Sequence, residues 1–129
     1  MMELASFGCE IYSSEVDDHG VDFIARINKK FYEVQVKSMR KSNYVFVLKA
    51  KMDICDDFRL VCLLRFVESK LPHVYIVPAK AWRNPNAVLV DRNYENTTKS
   101  NPEWGIQFSE KNQHLLEPYT AERFFSTVV

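Results

Sequence analysis

Three polar residues alternate along one short run, Phe31-Tyr32-Glu33-Val34-Gln35-Val36-Lys37-Ser38, and a carboxylate stands ahead of them in Asp18-His19-Gly20-Val21-Asp22-Phe23-Ile24-Ala25. Side chains alternate across a strand, so Glu33, Gln35 and Lys37 share one face while Tyr32, Val34 and Val36 form a core face. A hard divalent ion such as magnesium or manganese takes oxygen ligands and keeps several waters. Asp22 is the anionic ligand in this reading, Gln35 a neutral carbonyl oxygen, and Glu33 a second carboxylate on the same face. Such an ion activates water and offsets charge on a phosphate. Lys37 suits either the attacking water or the charge that builds on the phosphorus. The candidate catalytic residues are therefore Asp22, Gln35, Lys37 and Glu33, with Asp22 and Gln35 as metal ligands, and the chemistry they suit is phosphodiester hydrolysis.

The elements that must position this set are two strands and a turn. Val21–Ile27 is apolar and β-prone, Asn28-Lys29-Lys30 is a short polar turn, and the next strand runs from Phe31 to Met39. A hairpin brings Asp22 near Gln35 and Lys37, although its register is not legible in the sequence.

Asp22, Gln35-Val36-Lys37 and the apolar strands around them resemble the PD-(D/E)XK, or restriction-endonuclease-like, superfamily. The likeness is strongest to Holliday-junction-resolvase-like members and uncharacterised prokaryotic domains, which carry an Asp-x-Gly-(Ile/Val)-Asp strand followed by a Gln-Val-Lys-Ser strand. The resemblance implies an α/β fold, a single domain over residues 1–129 with a central mixed sheet flanked by helices. It places Asp22, Gln35 and Lys37 at the metal site. Two departures accompany it. Gln35 stands where a carboxylate is usual, and only Met1 to Phe7 precede Gly8, so the helix that often carries a glutamate is short or missing. Glu3 is the only acid in that segment.

At 129 residues with 47% hydrophobic and 13% aromatic content, the chain is long enough for one globular core. No apolar run reaches a membrane span, no charged-then-apolar leader is visible, and the expected setting is cytoplasmic. Cys9, Cys55 and Cys62 lack paired spacing and read as buried thiols rather than a zinc site or a disulfide frame.

Net charge is zero, but its distribution is uneven. Residues 1–22 carry six acids and no lysine or arginine, whereas residues 26–51 carry eight bases against Glu33 alone. Arg26, Lys29, Lys30, Arg40 and Lys41 are candidates for phosphate-backbone contact; the same residues also suit an ordinary solvated face. DNA is the expected partner.

Further along, Cys9–Ser14, Tyr44–Ala50, Phe58–Val67, His73–Val77, Ala87–Val90 and Gly105–Phe108 read as strands, Tyr44–Ala50 as a buried one. Pro78–Trp82 opens a short helix. Asp91–Glu103 reads as a long surface loop flanked by Trp82 and Trp104, which suit either base stacking or loop anchoring. Glu117–Val128 is the final helix, with Tyr119, Phe124, Phe125 and Val128 on an apolar face that belongs to the core or, alternatively, to a homodimer contact. There is no glycine-rich phosphate loop or nucleophile elbow, and His19, His73 and His114 are too scattered for a metal cluster. The chain is expected to be a metal-dependent endonuclease-like domain acting on DNA. The alternative is a catalytically inactive domain of that fold that binds nucleic acid or a protein partner.

Overall fold

Asn28 and Lys29 both adopt left-handed backbone, with φ of 50° and 67°. That is a type I′ turn, whose twist matches the right-handed twist of the strands it joins. It connects β2 (Phe23–Ile27) to β3 (Lys30–Met39), with Ile27 opposite Lys30 and Phe23 opposite Val34. The computed structural model describes residues 10–13, 21–68, 70–93 and 101–128. The expected N-terminal helical turn, Cys9 and the Asp18-His19-Gly20 turn lie outside the described residues.

β3 is the centre of the larger sheet. Its first half pairs antiparallel with β2, and from Glu33 onward it pairs parallel with β5 (Arg59–Arg65). β1 (Glu10–Ser13) and β6 (His73–Pro78) close the two sides antiparallel, giving the order β1-β2-β3-β5-β6. A parallel pair needs a crossover, and the crossover between β3 and β5 lays down β4 (Tyr44–Leu48). β4 joins a separate antiparallel sheet with β8 (Glu103–Gln107) and β7 (Leu89–Arg92), in the order β4-β8-β7.

Two apolar layers hold these parts together. On one face of the larger sheet, Phe23, Ala25, Ile27, Val34, Leu60 and Ile76 pack against Phe125 of helix α1 (Ala121–Val128). On the other face, Met39, Val61, Leu63 and Val77 meet Val47, Leu89 and Ile106 of the smaller sheet, with Trp82 buried among them. The fold is thus a mixed α/β domain in which a helix covers one face of the central sheet and a small sheet covers the other. Among the described residues no helix is long and apolar enough to cross a membrane.

Several local expectations change for identifiable reasons. On the strand from Tyr44, Val45 and Val47 face the core, so Phe46 lies on the outward face and is 42% exposed rather than buried. Cys55 is exposed, because it sits in a turn whose Asp53 carboxylate accepts the Cys55 N–H at 2.8 Å; Cys62, on β5, is fully buried. Asp91, Arg92 and Glu103 lie in strands rather than a loop, since β7 and β8 pair with each other. The last helix begins at Ala121, not Glu117. Pro118 disfavours α backbone at the residue before it, and residues Gln113–Tyr119 form a 3-10 turn instead. Thr120 bridges to Tyr75 of β6 just before the helix starts.

The hairpin yields a direct stability test. Left-handed backbone costs a residue with a Cβ about 1 kcal/mol or more, and glycine avoids that cost. Lys29→Gly should therefore raise the unfolding free energy by up to about 1 kcal/mol in urea titration. An unchanged or lowered midpoint would mean that the Lys29 side chain contributes more than its backbone conformation costs.

Candidate metal and phosphate site

Asp22 sits where the β2–β3 ladder ends. Its N–H donates to the Val34 carbonyl at 2.9 Å, although Phe23 is the residue in register with Val34. Two residues of one strand thus stand against one of the other, as in a β-bulge, and the chain leaves the ladder here. The next N–H of β3 on this side belongs to Val36. The Asp22 carboxylate takes it, with Oδ2 accepting at 2.6 Å. Hydrogen bonds to an ionised acceptor are short and strong, so the carboxylate is held beside Gln35 and Val36. Asp22 remains exposed, and its second oxygen has no hydrogen-bond partner among the described residues.

Gln35 follows on β3, half-buried and in register with Val61 of β5. Its Oε1 is buried and accepts no hydrogen bond among the described residues. An acceptor left that way costs about 1–3 kcal/mol. It needs a donor or a cation, and the Asp22 carboxylate is held on the backbone N–H of the next residue, Val36. This orphaned oxygen is the observation that fits a metal ion to the site. Lys37, two residues further, is half-buried, with its Nζ 6.0 Å from the centre of the Phe46 ring. No carboxylate pairs with it among the described residues.

Glu33 is engaged differently. Its Oε2 lies 3.6 Å from Nη1 of Arg59, the residue opposite it on β5. Arg59 is only 4% exposed, and its Nη2 donates to the Lys51 carbonyl at 2.9 Å. A buried guanidinium needs a counter-charge, and Glu33 supplies one. Among the described residues no group of three or more His, Cys, Asp and Glu side chains is placed to hold a metal ion. Of the four candidates, Asp22 keeps one carboxylate oxygen and Gln35 its carbonyl oxygen without a hydrogen-bond partner among the described residues; a magnesium-type ion held there would need water or substrate oxygen for the rest of its shell.

The candidate basic residues are not gathered around this centre. Lys29 and Lys30 lie at the hairpin turn, about 20 Å from Asp22 at the rise of an antiparallel strand. Arg26 lies over Phe31, 5.9 Å from its ring centre. Arg40 and Lys41 follow the other end of β3, Arg40 about 10 Å beyond Lys37 by the same rise. They line an open groove with Phe66, and Arg40 stacks 4.0 Å over that ring. Arg40 and Lys41 thus continue the line of Gln35 and Lys37, while the hairpin bases lie at the opposite end.

Sequence reasoning passed over Arg59. Its signal was a lone charge at the head of the apolar run Leu60–Leu64, which must find a partner if the strand is buried. Trp82, read as a stacking or anchoring residue, is an anchor. It is fully buried, and its Nε1–H donates to the Gly105 carbonyl at 3.0 Å.

No protein-family model and no curated protein matches the chain. Among solved structures, the Holliday junction resolvase Hjc of the archaeal hyperthermophile Archaeoglobus fulgidus superposes with a TM-score of 0.56. That match has 9% sequence identity and covers 97% of this chain and 88% of the resolvase. The bacterial homing endonuclease I-Ssp6803I superposes with a TM-score of 0.45 at 17% identity, covering 95% of this chain and 74% of its own. At such identity the likeness to the resolvase is one of fold alone: this chain shares the mixed α/β fold of that protein.

Proposed function

We propose that this protein is a metal-dependent endonuclease-like domain that hydrolyses DNA phosphodiester bonds. The observation that carries the reading is the pairing of Asp22 with Gln35. One carboxylate is pinned by the Val36 N–H at 2.6 Å, and the residue before Val36 carries a buried carbonyl oxygen that lacks a hydrogen bond among the described residues. The resolvase-like fold supports it. Asp22 and Gln35 would hold magnesium or manganese, which when bound supplies charge neutralisation and water activation. Lys37 places a cation two residues along the same face, where it stabilises negative charge on the phosphate under attack. Arg40 and Lys41 extend that line and suit contacts to the next phosphates.

A second reading has its own observation. Glu33 is held by Arg59, and Gln35 is neutral, which leaves Asp22 as the lone carboxylate at the ion. A site of that charge binds an ion weakly, and the domain would then bind nucleic acid or a protein partner without cutting.

Titration calorimetry with magnesium or manganese, run beside plasmid nicking, separates the two. Asp22→Asn is the informative variant, because its amide oxygen still accepts the Val36 N–H while the charge is gone. It should fold with nearly wild-type stability yet lose ion binding and nicking. Asp22→Ala should lose both and, in addition, about 1 kcal/mol of stability from the lost hydrogen bond to the solvent-accessible Val36 N–H. Ion binding that survives in Asp22→Asn would remove Asp22 from the site, and Asp22-dependent binding without any nicking would favour the second reading.

Lys37→Met keeps the apolar stem and removes the charge. Nicking should fall by roughly 100-fold or more with the melting temperature almost unchanged; a variant that cuts like wild type would take Lys37 out of the chemistry. Gln35→Glu restores an anionic ligand. It should bind magnesium more tightly and be less stable than wild type when no ion is present, because a buried carboxylate is costlier than a buried amide. Unchanged ion affinity would take Gln35 out of the coordination shell.

A further inference from the structure

The outward face of the smaller sheet carries an ordered aromatic pair beside Lys37. Tyr44 and Phe46 alternate on β4, and their rings stack with centres 6.2 Å apart and planes 24° from parallel. The pair is fixed from several directions. The Tyr44 ring lies on Gly105 of β8, where any Cβ would collide with the ring and its hydroxyl. The Tyr44 hydroxyl donates to Oε2 of the buried Glu103. Arg92 of β7 lies 4.2 Å over the Tyr44 ring and donates from Nη2 to Gln107 Oε1 at 3.0 Å. Phe46 is left 42% exposed, with the Lys37 Nζ 6.0 Å from its ring centre.

Engaging the Tyr44 hydroxyl with a carboxylate and giving up a Cβ at Gly105 of the central strand β8 are costs that core packing alone does not require of this outward face. They hold a flat ring surface in one orientation, with the Lys37 cation near Phe46 and the Arg92 cation on Tyr44. A nucleotide has the complementary form: one flat π face joined to an anion on each side. Aromatic platforms bind bases by stacking without reading sequence, and the base faces are open only where the strand is unpaired. A peptide side chain would call for a concave apolar pocket, which this flat pair does not offer.

We propose that Phe46, backed by Tyr44, is a stacking platform for an unpaired nucleobase of a DNA strand whose adjoining phosphate lies against Lys37. The inference rests on the nuclease reading for its place beside Lys37, and it narrows the substrate to DNA with single-stranded or extruded nucleotides near the phosphate.

Its test needs no cleavage. Fluorescence anisotropy in EDTA would compare a labelled single strand, the same strand with abasic sites throughout, and the matching duplex, against wild type, Phe46→Leu and Phe46→Trp. Circular dichroism would confirm the fold of each variant; Phe46→Leu retains the bulk and loses only the π face. The expected result is that the single strand binds best to wild type. Phe46→Leu should weaken it by roughly 10-fold, the effect of removing one stacked base, and leave the abasic strand unchanged, while Phe46→Trp preserves binding. Equal affinity of folded Phe46→Leu and wild type for the single strand would overturn the proposal, as would equal affinity of wild type for normal and abasic strands. Phe46-dependent binding by a protein that never nicks a plasmid with metal present would sink the nuclease reading alone.

Discussion

The N–H of Val36 is the point on which this site depends. β3 changes neighbours along its length, pairing with β2 as far as Val34 and with β5 from Glu33 onward. The change leaves a backbone donor on the β2 side with no strand to receive it, at a position open to solvent. Asp22 resolves this with a side chain rather than a carbonyl. The same bond that completes the sheet therefore fixes a carboxylate at its open end, beside Gln35. The position of the candidate ligand follows from backbone accounting and does not need an ion to hold it there.

What was legible in the sequence follows the range of the interactions involved. The alternation of Glu33, Gln35 and Lys37 against Tyr32, Val34 and Val36 is a local property of a strand, and β3 forms over that run with Val34 in the core. The hairpin was equally local, although the left-handed backbone of Lys29 is the less expected half of its turn. The smaller sheet was not legible because β4, β7 and β8 are brought together only by tertiary pairing. Glu103 and Tyr44 are far apart in the chain and satisfy each other, so a glutamate that reads as loop becomes a buried strand residue. Phe46 failed in the opposite direction: an aromatic in an alternating apolar strand reads as core, and here Val45 and Val47 take the core face while Phe46 is left on the outward one.

Charge shows the same division between chain and fold. The basic stretch from Arg26 to Lys51 is continuous in sequence, but the strand geometry divides it. One part lies at the hairpin turn, another beyond the end of β3, and Lys49 is spent on an ion pair with Asp91. Of the whole cluster, Lys37, Arg40 and Lys41 lie on or just beyond the half of β3 that carries Gln35. Along the axis of β3, Arg40 and Lys41 follow Lys37, so this part of the positive charge is a short line rather than a broad patch. That suits a strand crossing one site better than a duplex wrapped over a surface, and it agrees with a domain of zero net charge.

The neutral Gln35 has a physical rationale of its own. Its oxygen is buried, in register with Val61. A carboxylate in that place would carry an uncompensated charge whenever no ion is bound, a cost of several kcal/mol unless its pKa rose. The nearest lysine along β3, Lys37, stands two residues away and toward Phe46, while Arg59 is already opposite Glu33. An amide oxygen leaves only the smaller cost of one unmet acceptor. The exchange favours a fold that stands without metal over tight metal binding, because the attraction for a cation then rests on Asp22 and on whatever phosphate the substrate brings. If the site takes an ion and DNA as proposed, a substrate phosphate would complete the coordination, and ion and DNA would bind cooperatively, each raising the affinity of the other by the same factor.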